Sequence, residues 1–167
     1  MNAKEKQIEI ISLYLKPTLK SYGYKTSGQN WWKDKGDFFY FINLQNYSFN
    51  SKDAVYFCFN IGVLIKATMK DSTQKKPNYF DPGIKLRENS YLTNERLKQE
   101  FRNESGYVID NKTDVANFII EMHNDFENEI LPSLEKLNSL EDCLARYENV
   151  VLLGEYFKKT LIENQLV

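Results

Sequence analysis

Alternation of apolar and polar positions is clearest in residues 55–65, which we interpret as the central strand of the protein. The odd positions are all apolar and the even positions are mixed; the odd set is Val55, Phe57, Phe59, Ile61, Val63 and Ile65. Because successive side chains of a strand point to opposite faces, this pattern predicts one continuous buried face on a sheet.

Two further segments are predicted to join this strand in an antiparallel sheet. Residues 38–45 alternate in the same way, and residues 24–33 lead into them with Trp31 and Trp32 on opposite faces. The sequence Asp34-Lys35-Gly36-Asp37 between them is typical of a tight turn, with Gly36 free to adopt a positive φ.

Segments with helical periodicity precede and follow the predicted strands in the sequence. Residues 4–22 form an amphipathic pattern that ends at Gly23, and Pro17 predicts a kink near residues 13–16. A second apolar stripe begins after Thr113, the predicted N-cap, and continues through a kink at Pro132. Ser139 begins a third helix, and the last helix is predicted over residues 149–166.

The rest of the chain is predicted to be mainly irregular. Residues 66–92 form a long basic loop, Thr93 caps a short helix, and residues 106–110 form a short strand. The expected fold class is therefore α+β, with an N-terminal helix, a small antiparallel sheet of three or more strands, and a helical C-terminal half packed on one face. We expect one domain over residues 1–167, divided into a helix-and-sheet part (1–110) and a helical part (111–167).

Composition favours a soluble intracellular protein. The chain is 42% hydrophobic and 14% aromatic, and no apolar run approaches the roughly 20 residues of a membrane span. The charged N-terminal segment does not resemble a secretory signal. Cys58 and Cys143 are far apart in sequence and belong to no CxxC motif, so they are expected to be buried apolar residues. We expect a cytoplasmic location.

Charge is divided unevenly along the chain. Residues 1–99 contain 16 Lys and Arg against 9 Asp and Glu, a net charge of +7, whereas residues 100–167 contain 6 against 14, a net charge of −8. The whole chain has a net charge of −1, which argues against nucleic acid as the partner. Such a division is informative about partners rather than about fold.

Several segments resemble a known family. They are Leu19-Lys20-Ser21-Tyr22-Gly23-Tyr24-Lys25 at a helix end, Trp31-Trp32-Lys33, Ile42-Asn43-Leu44-Gln45 and Phe59-Asn60-Ile61-Gly62-Val63. This pattern resembles domain of unknown function 4304, a family of uncharacterised, mostly bacterial proteins, over roughly residues 13–65. A later Arg- and Trp-containing segment that we associate with the family has no clear equivalent in this chain, although Lys85-Leu86-Arg87 lies near the corresponding place. The resemblance implies an α+β fold and brings no assigned activity.

Candidate catalytic chemistry is sparse. His123 is the only histidine, and Glu127 follows it by one helical turn, but two ligands do not make a metal site. No phosphate-binding glycine loop and no Gly-x-Ser-x-Gly elbow occurs. We therefore expect no enzymatic activity, no cofactor and no metal.

Two function hypotheses follow from the remaining polar residues. The first is a protein-binding module, in its sharpest form an immunity- or inhibitor-like protein, that meets a basic protein partner through the acidic helix residues Glu121, Asp125, Glu127 and Glu129. The second is a small-molecule binder with polar anchors in an aromatic cleft; this candidate cleft consists of Trp31, Phe39, Gln45, Tyr56 and Asn60. The sequence does not predict the identity of the partner, the ligand or the oligomeric state.

Overall fold

A seven-stranded antiparallel sheet forms the centre of the computed structural model, which describes residues 1–167. Its strands, in chain order, are β1 (Lys25–Ser27), β2 (Asn30–Asp34), β3 (Phe38–Asn46), β4 (Ala54–Ile65), β5 (Gly83–Arg87), β6 (Arg102–Asn103) and β7 (Gly106–Asp110). In space the order is β1-β2-β3-β4-β7-β6. The N-terminal part of β4 pairs with β7 and its C-terminal part pairs with β5, so these two strands share one edge of β4.

The helices cover one face of this sheet. They are α1 (Ala3–Ile10), α2 (Lys16–Ser21), α3 (Asn94–Leu97), α4 (Val115–Asp125), α5 (Leu131–Glu135), α6 (Leu140–Tyr147) and α7 (Leu153–Glu163). The predicted odd face of β4 is confirmed, since all six of its apolar side chains are at most 1% exposed. Phe59 of that face packs edge-to-face on Phe126, with ring centroids 4.9 Å apart. The predicted α+β class is confirmed.

Both predicted kinks take the form of a π turn just before a proline. Residues Ile11–Leu15 form a π turn between α1 and α2, and Phe126–Ile130 form another between α4 and α5. A proline inside a helix lacks its N–H and collides with the carbonyl four residues earlier. The wider turn removes this conflict while the helix continues.

Four local predictions differ from the structure. Residues 24–33 form a hairpin of β1 and β2 around Gly28 rather than one strand, and the predicted loop 66–92 contains β5. The N-cap of α4 is Asp114, whose side chain accepts a hydrogen bond from the Asn117 N–H, and not Thr113. The last helix begins at Leu153, after Leu152 in a left-handed conformation (φ 66°).

The other predicted turns and caps agree with the structure. Gly36 adopts φ 92°, and its N–H donates to Asp34 Oδ1 over 2.9 Å. Thr93 and Ser139 accept hydrogen bonds from the first turns of α3 and α6. None of the helices is both long enough and apolar enough to cross a membrane.

Candidate functional site

The face of the sheet opposite the helices is divided into a covered half and an open half. Five buried side chains form the covered half: Trp32, Phe39, Phe41, Leu64 and Met69. Met69 belongs to the segment 66–82, which lies over the other four residues and also contributes Tyr79. Phe39 is completely buried in this second core, so its predicted place in a ligand cleft is wrong.

Trp31 does not belong to the predicted cleft either. It pairs with Ile42 of β3 and lies with the main core on the helix-covered face, where it is 2% exposed. The alternation along the strand predicts that Trp31 and Trp32 lie on opposite faces, as they do. Trp32, and not Trp31, lies on the same face as Phe39 and Asn60. The remaining members of the predicted cleft, Gln45, Tyr56 and Asn60, do lie together on the second face.

A ladder of amide side chains crosses the open half. Asn43 Nδ2 donates to Asn30 Oδ1 over 2.7 Å, and Asn60 Nδ2 donates over 3.0 Å to both Asn43 Oδ1 and Gln45 Oε1. The register explains this ladder, because Asn43 pairs with both Asn30 and Asn60 on neighbouring strands. Asn60 is only 8% exposed, and its side-chain amide donates to both neighbouring amides. The side chains of Asn30, Asn43 and Gln45 are half-buried at the surface.

Aromatic side chains and one guanidinium continue the open half beyond the ladder. Phe49 stacks on Tyr47, with centroids 5.4 Å apart, and packs at 5.3 Å against Tyr56. Tyr47 reaches across the sheet and donates from its hydroxyl to Ser105 O over 2.7 Å. Arg87 lies over the Tyr47 ring and donates to its hydroxyl oxygen. We call the following eight residues the open patch: Asn30, Asn43, Gln45, Tyr47, Phe49, Tyr56, Asn60 and Arg87.

The predicted acidic partner surface is largely used inside the molecule. Asp125 is fully buried, and its carboxylate accepts from Arg96 Nε over 2.7 Å and from the Tyr107 hydroxyl over 2.7 Å. Glu121 forms an ion pair with the same Arg96. Glu127 accepts from Tyr14 over 3.0 Å and contacts His123. The prediction that Asp125 faces a partner is therefore wrong.

Burial changes the chemistry of the two cysteines and of several tyrosines. Both thiols are buried and free, and burial raises the pKa of Cys58 and raises the pKa of Cys143 to about 12. Burial likewise raises the pKa of Tyr107. Protonated thiols are poor nucleophiles and poor metal ligands. No three His, Cys, Asp or Glu side chains converge in a way that could hold a metal ion.

Sequence reasoning missed five of the eight residues of the open patch. Asn30 and Asn43 were visible as polar positions on the face of Asn60, but their contact depends on the strand register, which one sequence does not fix. Tyr47 and Phe49 lie in the connection between β3 and β4, where no strand or helix periodicity indicates which way their side chains point. Arg87 belongs to β5, a strand that the sequence did not predict. In the structure Arg87 pairs with Asn60 of β4.

Comparison with known proteins gives one family. A family model described as "Domain of unknown function (DUF4304)" matches residues 15–136 of the 167. No curated protein matches the chain, and no solved structure matches it.

Proposed function

The chain belongs to the DUF4304 family, and because that family has no assigned activity, we propose from the geometry that the protein is a non-enzymatic module that binds another protein through the open patch. The observation that supports this most directly is the position of Phe49. Its side chain is 63% exposed, although a stack with Tyr47 and a contact with Tyr56 hold it in place.

The composition of the patch is typical of protein interfaces. Tyr, Phe and Arg are enriched at the centres of interfaces and supply most of the residues whose truncation costs binding energy. Amide side chains add adaptable hydrogen bonding around such anchors. The three aromatic rings hold one another in place, so little side-chain entropy is lost when a partner binds.

The charge of the patch indicates the kind of partner. Arg87 uses one N–H on the Tyr47 hydroxyl and is otherwise exposed, so its guanidinium has further donors available. No carboxylate belongs to the eight residues. We therefore propose a partner surface with a carboxylate opposite Arg87 and peptide or side-chain polar groups opposite the amide ladder.

The proposed binding surface lies on the sheet and not on the acidic helix residues that the sequence suggested. Glu121, Asp125 and Glu127 already have cationic or hydrogen-bonding partners inside the chain, which reduces the negative field that a basic partner would meet. An immunity- or inhibitor-like role, in which the patch covers the working surface of a toxin, remains the sharpest form of the proposal. It implies a bacterial cytoplasmic location, with which two free, buried thiols are compatible.

A direct test compares two double variants in partner capture. Phe49→Ala/Arg87→Ala removes the exposed ring and the cation of the patch. Phe80→Ala/Lys98→Ala is the matched control, because Phe80 is 90% exposed in the segment 66–82 and Lys98 is an exposed cation elsewhere. The wild-type protein captures a partner from the native host, and the affinity of the purified pair is then measured for each variant.

The patch variant should lose about tenfold or more in affinity while its thermal unfolding stays close to that of the wild type. The control variant should bind as the wild type does. Equal affinity of the patch variant and the wild type would show that the interface lies outside the open patch. If no protein is enriched more than on empty resin, the protein-binding proposal is wrong.

A further inference from the structure

A second surface feature lies between α2 and the β1–β2 hairpin. It is a cleft of about 470 Å3, within the range of about 300–1,000 Å3 that ligand sites occupy. Three lysines surround it: Lys16 and Lys20, one turn apart on α2, and Lys25 on β1. Pro17, Tyr24, Thr26 and Trp31 complete its lining.

The three ammonium groups have no partner within the chain. None of them takes part in an ion pair or a side-chain hydrogen bond. The neighbouring carboxylates are already engaged, since Asp34 accepts from Lys66 over 2.6 Å and Glu135 from Lys33 over 2.9 Å. Lys16 and Lys20, one helical turn apart, repel each other. Because neither has a carboxylate partner, they create a positive field at the mouth of the cleft.

Apart from the three lysines and Thr26, the residues that line the cleft have largely apolar side chains. The ring of Trp31 is 2% exposed, and its Nε1 has no hydrogen-bond acceptor within the chain. Tyr24, 5% exposed, likewise has a buried hydroxyl without a partner. Both polar atoms are shielded from solvent, so neither residue presents a polar side-chain group to the cleft. The methylene stems of the lysines extend the apolar wall.

We propose that this cleft binds a small organic anion, namely a phosphate monoester or carboxylate attached to a flat apolar body. The ammonium groups of Lys16, Lys20 and Lys25 hold the anionic group, and the apolar body packs against Pro17 and the stems of the lysines above Trp31. The cleft is separate from the open patch, which lies on the other face of the sheet, so the two proposals stand or fall independently.

Phenyl phosphate is a suitable probe, with phenol and inorganic phosphate as its two halves. In a Trp32→Phe background Trp31 is the only indole, so its fluorescence reports on the cleft while calorimetry gives the affinity. Phenyl phosphate should bind saturably and change the Trp31 emission, and it should bind about tenfold or more tightly than either half.

Two triple variants of equal charge complete the experiment. Lys16→Gln/Lys20→Gln/Lys25→Gln should weaken phenyl phosphate binding by about tenfold or more, whereas Lys52→Gln/Lys98→Gln/Lys136→Gln, which changes exposed lysines elsewhere, should leave it unchanged. The proposal is overturned if phenyl phosphate gives no saturable signal, if phenol or inorganic phosphate binds as tightly, or if the control variant loses as much affinity as the cleft variant.

Discussion

Phe59 shows at the scale of one residue how the sheet and the helices are joined. It is completely buried and contacts the rings of Phe126 and Tyr107 from the middle of β4. Phe59→Ala should lower the free energy of unfolding by about 3–5 kcal/mol, because the substitution leaves a cavity that the surrounding rings cannot fill. Urea denaturation measures the change. A loss below about 1 kcal/mol would show that this part of the core collapses onto the smaller side chain.

Asp110 makes stability depend on pH through the turn after β7. The backbone N–H groups of Lys112 and Thr113 donate to its carboxylate, and these hydrogen bonds lower the pKa of Asp110 below its ordinary value of 3.8. A lowered folded-state pKa gives stability that is complete above pH 3.8 and is lost as the pH falls through the folded-state pKa.

Asp110→Asn isolates this contribution, because asparagine can keep the turn without the charge. The difference in unfolding free energy between wild type and variant should be largest near neutral pH and should shrink as the pH falls below 3.8. Denaturation at a series of pH values checks this. A difference that is constant over the whole series would mean that the charge of Asp110 does not contribute.

The burial of Asp125 is one of the residue-level features that sequence reasoning did not predict. Asp125 follows Met122 by three residues and Phe118 by seven, so helical spacing places it on the same buried stripe. The acidic side chain was nevertheless assigned to the surface, because carboxylates are rarely buried without a partner. Its partners, Arg96 and Tyr107, come from α3 and β7, and no local pattern indicates that they meet there.

At the scale of elements, strong local patterns were predictable and short elements were not. The period of β3 and β4 and the two proline kinks follow from chemistry within about one or two turns of the chain. β5 has five residues directly after Asp81-Pro82, and it is a strand only because it pairs with β4. The open patch depends on that pairing and on the register of β2 and β3, so only Gln45, Tyr56 and Asn60 could be found in advance.

The segment between β4 and β5 should be separable from the fold. Ile65 N donates to Pro82 O over 2.8 Å, so the ends of the segment are already adjacent. Replacing residues 70–81 by a short Gly/Ser turn should keep β4 and β5 paired while it exposes Trp32, Phe39 and Phe41. We expect lower stability, a red-shifted Trp32 emission in a Trp31→Phe background, and increased binding of an apolar dye.

Circular dichroism should show that the shortened protein keeps its sheet. If Trp32 emission and dye binding instead stay as in the full-length protein, residues 70–81 do not cover the second core, and Met69 alone accounts for its burial.

At the scale of the whole molecule, the uneven charge of the sequence joins the two parts of the chain. Lys33 pairs with Glu135, and Arg96 pairs with Glu121 and Asp125, so basic groups from the first 99 residues meet carboxylates of the helical part. The pair of Arg102 with Glu88 runs in the opposite sense, with both side chains nearly fully buried. Part of the asymmetry that suggested an external basic partner is therefore neutralised within the fold.

The Arg96–Asp125 pair has a fully buried carboxylate and should behave differently from a surface pair. Asp125 is fully buried, so Arg96→Met leaves an unpaired carboxylate in the core and should lower the unfolding free energy by about 3–5 kcal/mol. Lys33→Met is the matched control, because Lys33 and Glu135 are both partly exposed and such a pair contributes about 0–1 kcal/mol.

A double-mutant cycle separates the charge from the packing. Asp125→Asn removes the negative charge but keeps an oxygen that can accept from the Tyr107 hydroxyl, so it should restore part of the stability lost in Arg96→Met. Chemical denaturation of the wild type, both single variants and the double variant gives the interaction free energy. If Arg96→Met costs no more than Lys33→Met, or if Asp125→Asn adds to the loss, the buried pair does not hold α3 to α4.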